Sequence, residues 1–269
     1  MRYQKEHAVI ERVATQLIAL VNDQLTDRIA TKDKTSKRDL VSAVDLAADA
    51  LIVSALQKHF PDDALLTEES HPHTPLTNRR AWIIDPICGS TNLAHGIRFF
   101  VTNIALVLGE QPVAAWIVDH SRQRVVWSVG GALWDGKRKI PRLRSTTVFP
   151  VVDTDWGYFY GMSQDVRRRY ATLVGSIRMH GSLETVAFGS SLSFAYVATG
   201  QLQGSVTINI HPWDFVAPIF LIEQNGGVVT NFDGSPWGIR SKSLVMAGDK
   251  GVHRKLLRFV KAQGLQNVK

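Results

Sequence analysis

Trp82-Ile83-Ile84-Asp85-Pro86-Ile87-Cys88-Gly89-Ser90-Thr91-Asn92 is the stretch on which the reading of this chain turns. Ala81 to Ile84 is a short apolar run with the character of a buried strand, and it ends directly in a carboxylate. A glycine-containing loop follows. A carboxylate at the C-terminal end of a strand, beside the backbone N–H groups of such a loop, is placed to hold a cation. A lone Asp-Pro-Ile suits a helix cap or a loop-ordering aspartate equally well, so the stretch has to be weighed with its neighbours.

Three other acidic positions have comparable settings. Glu68 and Glu69 end the apolar run Ala64 to Thr67, although adjacent acids most often only face solvent. Asp214 follows Trp213 and opens an apolar helix over Phe215 to Gln224, where a carboxylate can accept the free N–H groups of the first turn. Asp45 lies three residues after Ser42, the spacing of a capping box at the head of a helix over Ala43 to His59. On that helix Leu46, Ala47, Ala50, Val53 and Leu56 are expected on one side, and Pro61 stops it.

Outward from these points the periodicity alternates. Ile10, Val13, Ala14, Leu17, Ile18 and Val21 mark an amphipathic helix over His7 to Leu25, followed by a polar, lysine-rich connector from Thr31 to Arg38. Phe100 to Leu108, Val113 to Val118 and Arg124 to Val129 read as successive strands, and Trp134 to Lys137 as a hairpin turn. Pro141 to Thr154 reads as a connector between two lobes. Beyond it, helices are expected over Gln164 to Val174, Leu192 to Thr199 and Gly251 to Ala262. Strands are expected over Val206 to Ile210, Val228 to Asn231 and Leu244 to Ala247. Mixed segments of this kind build layers of helix and sheet.

Composition bounds the function. With 269 residues, 45% of them hydrophobic, the chain has ordinary globular usage. A single cysteine excludes an internal disulfide and paired-cysteine zinc, and it points to a reducing, cytoplasmic compartment. The N-terminus has no signal-peptide core, and no apolar run is long enough to span a membrane. Thr185 to Trp213 lacks charged residues but is interrupted by Gly, Ser, Gln and Asn, which reads as interior. The net charge of +7 comes from scattered basic residues without interleaved aromatics. That distribution argues against a nucleic-acid surface and for attraction of a small anionic substrate.

Taken together, Leu66 to Ser70, Trp82 to Asn92 and Trp213 to Ala217, with Asp45 in its helix and Gly189-Ser190-Ser191 before another, resemble the inositol monophosphatase family. This family belongs to the magnesium-dependent, lithium-sensitive phosphatase superfamily, and the likeness extends over essentially the whole chain. It implies an α/β (α+β) fold, a layered αβαβα sandwich, assembled as a homodimer. The N-terminal lobe, 1–145, would carry most metal ligands. The C-terminal lobe, 146–269, would carry the last ligand and the substrate-binding elements. The implied reaction is hydrolysis of a small phosphate monoester by metal-activated water. The implied cofactor is Mg²⁺, with Mn²⁺ as an alternative. Carried over by position, Glu68, Asp85 and the carbonyl of Ile87 would hold the first ion, and Asp85 and Asp214 a second. Ser90, at the family's threonine position, would act with Asp45 and Glu68 on the water. The N–H groups of Gly89 and Ser90, with Ser191, would bind the phosphate.

Two departures qualify the resemblance. The family places a metal-binding aspartate where this chain has Cys88, and a thiol is a poor ligand for Mg²⁺. The first site is therefore expected to survive and the second to weaken. The enzyme would then work with fewer ions or a water in place of the carboxylate, keep only anion binding as a phosphatase-like binding protein, or recruit a softer ion. Secondly, an acidic residue that binds inositol hydroxyls in the family corresponds to Thr207, with Asn209 nearby. A sugar, polyol, amino-alcohol or nucleotide phosphate is thus expected rather than inositol phosphate. Pro218 is expected to be tolerated because it lies near the first turn of its helix.

Overall fold

The apolar stripe Val9, Ile10, Val13, Ala14, Leu17 and Val21 turns one face of helix α1 (Gln4–Gln24) into the protein. In the computed structural model, residues 2–24, 31–36, 39–77, 79–144, 149–158 and 161–268 are described, with only the backbone of 31–36 and 39–41. Strands β1 (Thr31–Ser36) and β2 (Asp39–Ser42) pair antiparallel, so the expected connector from Thr31 is largely a strand. Its alternating polar residues gave no hydrophobic signal. Helix α2 (Ala43–His59) begins with the expected capping box between Ser42 and Asp45. Its buried face is Val44, Ala48, Ile52 and Leu56, whereas Leu46 is 54% exposed. The helix is apolar on most sides, so periodicity did not select the inner face; the sheet beneath it does.

That sheet has seven strands in sequential order: β3 (Ala64–Thr67), β4 (Arg80–Cys88), β5 (Val101–Leu108), β6 (Gln111–Asp119), β7 (Arg124–Ser128), β8 (Trp134–Asp135) and β9 (Arg138–Lys139). A short helix α3 (Ser90–Ala94) lies between β4 and β5. Only β3 and β4 pair parallel. The central strands are apolar on both faces because both are covered. Trp82, Ile84, Ile104, Leu106 and Trp116 pack against α1 and α2, while Ile83, Ala105, Val107, Ala115 and Ile117 pack the opposite way. Each fully buried large apolar side chain contributes about 1.5–3 kcal/mol.

A second sheet has the order β11-β10-β12-β14-β13, with β10 (Val151–Asp153), β11 (Glu184–Val186), β12 (Gly204–Ile208), β13 (Val228–Asn231) and β14 (Ser243–Ala247). Strand β10 lies inside the stretch read as a connector; three residues are too few to show a period. The boundary expected at 145/146 falls in 145–148, outside the described residues. Helices α5 (Leu192–Thr199) and α6 (Pro212–Gln224) fill the space between the sheets. Helices α4 (Gln164–His180) and α7 (Lys250–Ala262) cover the outer face of the second sheet. The layers therefore run helix, sheet, helix, sheet, helix: the αβαβα sandwich. Helix α6 starts at Pro212, so Pro218 lies well past the first turn, contrary to expectation.

Candidate active site

Strand β4 keeps its antiparallel ladder with β5 as far as Asp85 opposite Asn103 and resumes it at Cys88 opposite Val101. Three steps along β4 face two along β5, so one extra residue bulges out. The carbonyls in the bulge are met by side chains. Thr102 Oγ1 donates to the Pro86 carbonyl at 2.6 Å, and Ser90 Oγ lies 3.0 Å from the Ile87 carbonyl. Since Thr102 spends its proton on Pro86, the 2.9 Å contact to His120 Nε2 is a bond donated by the imidazole. Burial pushes the His120 pKa down to about 4, so the ring stays neutral.

Gly89 then turns the chain into α3 with φ of +108°. A Cβ there would lie 3.0 Å from Ser190 Cβ and 3.1 Å from both Phe100 Cβ and the Phe99 carbonyl. Glycine is required by both conformation and space. The first N–H groups of the short helix have no acceptor within it, a ready anion contact. Ser90 Oγ donates to Asp45 Oδ1 at 2.5 Å. Asp45 Oδ2 meanwhile accepts from Ser42 N at 2.9 Å and from Ser42 Oγ. The cap and the serine contact use different oxygens of one carboxylate.

Asp214 divides its oxygens in the same way. As the third residue of α6, it accepts the His211 N–H on Oδ2 at 2.6 Å, while Oδ1 lies 3.4 Å from the Tyr158 hydroxyl. That hydroxyl is also 3.3 Å from Glu68 Oε1 and accepts from Trp213 Nε1 at 3.2 Å. Glu68 is half-buried at the end of β3, with its N–H on the Ile84 carbonyl. Asp85 is 1% exposed, and its Oδ1 is buried with no hydrogen-bond partner. Ligand atoms of Asp85, Cys88 and Asp214 all lie within 4.8 Å of one another.

Burial, and then repulsion from Glu68 and Asp214, holds the Asp85 carboxyl well above the usual range. Burial and then Glu68 push Asp214 up to about 8. Burial, Asp85 and Asp214 likewise push the Cys88 thiol up. Crowded acids with an orphaned oxygen form a site that positive charge would relieve. Glu68, Asp85 and the Ile87 carbonyl are hard oxygen donors, which fit Mg²⁺; the sulfur of Cys88 does not.

Ser191 is turned toward Cys88: its N–H donates to Cys88 Sγ at 3.2 Å, and its Oγ accepts from Asn103 Nδ2 at 2.8 Å. Asn103 Nδ2 also lies 3.3 Å from the Trp213 carbonyl and 3.5 Å from that of Asp214. Pro218 explains the last contact. Lacking an N–H, it leaves the Asp214 carbonyl without its helical partner, and Asn103 takes that place. Thr207 is buried in β12, and Asn209 donates from Nδ2 to the Tyr158 carbonyl at 2.5 Å. Asn103, Thr102, His120 and Tyr158 were not singled out in the sequence. Asn103 and Thr102 sit on a strand buried on both sides, where a polar residue shows no distinctive spacing, and His120 lies in the turn just after β6. Tyr158 lies on a loop.

The inositol monophosphatase family model matches residues 3–264. The chain belongs to that family. Its members are metal-dependent phosphatases. The "Inositol-1-monophosphatase ImpA" of Mycolicibacterium smegmatis is 30% identical over 236 residues, covering 84% of this chain and 82% of that protein. The "Nus factor SuhB" of Escherichia coli K12 is 30% identical over 249 residues, covering 91% of each. Among solved structures, the extragenic suppressor protein suhB from Bartonella henselae superposes with a TM-score of 0.85 at 24% identity, covering 96% of this chain and 99% of that one. The Thermotoga maritima IMPase superposes at 0.82 with 23% identity, covering 97% and 98%. These two likenesses show the family's fold.

Proposed function

We propose that the protein hydrolyses the phosphate monoester of a small metabolite, a sugar, polyol, amino alcohol or nucleotide, and that it does so as a cytoplasmic homodimer. The observation that carries this reading is the 2.5 Å bond from Ser90 Oγ to Asp45 Oδ1, formed beside the bulge that presents Asp85 and the Ile87 carbonyl. Glu68, Asp85 and the Ile87 carbonyl would hold Mg²⁺ or Mn²⁺, which supplies a water of lowered pKa and stabilises the leaving alkoxide. Ser90 has one hydroxyl proton and two acceptors in reach. The shorter, charge-assisted bond to Asp45 outweighs the 3.0 Å contact to Ile87. Its lone pairs are then left to accept a proton from water, with Asp45 as the final acceptor. The N–H groups of Gly89 and Ser90 bind the phosphate.

No helix among the described residues is long and apolar enough to cross a membrane. The test is phosphate release from a panel of monoesters with Mg²⁺ and with Mn²⁺, for the native protein and for Ser90→Ala. The variant should lose on the order of 10²–10⁴-fold in kcat, the usual share of general acid–base catalysis. Absence of turnover with every ester and both metals, or an unimpaired Ser90→Ala, overturns the proposal.

A further inference from the structure

The second cluster of ligand atoms does not match the ion the family implies. Asp85 and Asp214 offer oxygen, but the third member is the thiol of Cys88, and all three lie within 4.8 Å of one another. Magnesium favours six hard oxygen donors in near-ideal octahedral geometry and gains little from sulfur. Zinc accepts thiolate and carboxylate together in a tetrahedron, whose ligand atoms lie roughly 3.5 Å apart given its bond lengths. The cluster would need to close by only about an ångström to reach that geometry.

Two further observations point to an ion at this place. Asp85 Oδ1 is buried with no hydrogen-bond partner. Around the sulfur, the Ser191 N–H donates at 3.2 Å and the Ser191 hydroxyl contacts it as well. Asn103 Nδ2 donates to that hydroxyl at 2.8 Å, which fixes the direction of its proton. Donors arranged in this way around a sulfur orient and stabilise a thiolate ligand.

We propose that Asp85, Cys88 and Asp214 form a site selective for a thiophilic divalent cation, Zn²⁺ above all, over Mg²⁺. The proposal deepens the phosphatase reading and rests on it for the site's purpose. On binding, the S–H bond of Cys88 breaks, a sulfur–metal bond forms and the proton passes to solvent. Three protein ligands leave a fourth position open, the arrangement of catalytic rather than structural zinc.

The experiment titrates metal-free protein with Co²⁺, followed by sulfur-to-cobalt charge-transfer absorption in the near ultraviolet. Cys88 is the single cysteine, so the band reports on this residue alone. The band should appear in the native protein, be displaced by Zn²⁺ and persist in excess Mg²⁺. Cys88→Asp and Cys88→Ser should both lack it. In Cys88→Asp the preference for Zn²⁺ over Mg²⁺ should fall on the order of tenfold or more. Cobalt binding without the band, or equal Zn²⁺/Mg²⁺ preference in native protein and Cys88→Asp, overturns the proposal. Phosphate release measured on the same samples separates the two readings. A band without turnover of any ester upholds the cation site and sinks the phosphatase; Mg²⁺-supported turnover with cobalt bound and no band does the reverse.

Discussion

Asp153 allows a buried carboxyl away from the candidate site to be weighed by pH alone. It is fully buried on β10, where Oδ2 accepts from Ser193 Oγ at 3.1 Å and Ser205 Oγ at 3.0 Å. Its Oδ1 is buried with no hydrogen-bond partner. Burial, then repulsion from Asp155, pushes the pKa from 3.8 to about 7. The folded state therefore holds a proton that the unfolded chain releases. This contribution to stability is fully present below pH 3.8 and is lost as pH rises through about 7. In that window one extra proton in the folded state lowers stability by ~1.4 kcal/mol per pH unit, about 4 kcal/mol in all. Asp153→Asn keeps an oxygen acceptor for the two serines but cannot ionise. Urea unfolding of native and variant protein from pH 4.5 to 8, with chelator in both, gives the difference directly. The variant should gain on the native protein by about 3 kcal/mol between pH 4.5 and 8, and most steeply below pH 7. A difference that stays flat with pH would show that Asp153 ionises in the folded protein as it does in the chain.

The other expectations concern the site. Gly89→Ala combines a positive φ with three contacts of 3.0–3.1 Å, and should cost about 2–4 kcal/mol. Calorimetry should show a fall in Tm of roughly 5–15 °C, and an unchanged Tm contradicts the crowding. Thr102→Val preserves shape but strands the Pro86 carbonyl and the His120 Nε2–H, each worth about 1–3 kcal/mol; a loss under 0.5 kcal/mol would refute the brace. Chelation should make stability fall as pH rises toward 8, because the raised pKa values of Asp85 and Asp214 favour the folded state only while they are protonated. Saturating divalent cation should flatten that fall, and identical pH profiles with and without metal would rule out a cation at these acids.

Legibility followed the range of the interactions. The strand that carries Asp85, the glycine turn and the Ser42–Asp45 cap are all local, and the structure contains each of them. Strand β4 nevertheless runs on through a bulge to Cys88, past the end expected at Asp85. The inner face of α2 was not legible, because an all-round apolar helix has no preferred side until the sheet supplies one. Strands β1 and β10 were missed for opposite reasons: one is polar along its length and the other spans only three residues. Asp45 and Asp214 posed a choice between cap and site, but the two roles are compatible, since a carboxylate has two oxygens and each residue commits one to its cap while the other faces a different partner.

Asn103 shows what a linear reading could not supply. Nothing in Val101-Thr102-Asn103-Ile104 distinguishes the asparagine, yet the register places it opposite Asp85. From there one amide reaches Ser191 and the carbonyl that Pro218 leaves free. The unusual proline of α6 and the unusual cysteine of the β4 bulge are thus joined through a single side chain. A hydrogen-bonding partner at 103 serves both departures, and Asn103→Ala would remove from the interior the one amide that donates to both the Ser191 hydroxyl and the Asp214 carbonyl. Cys88 is consequently part of a packed polar network that orients its sulfur, so its replacement by aspartate has to be judged with Asn103 and Ser191 in place rather than as an isolated exchange of ligands.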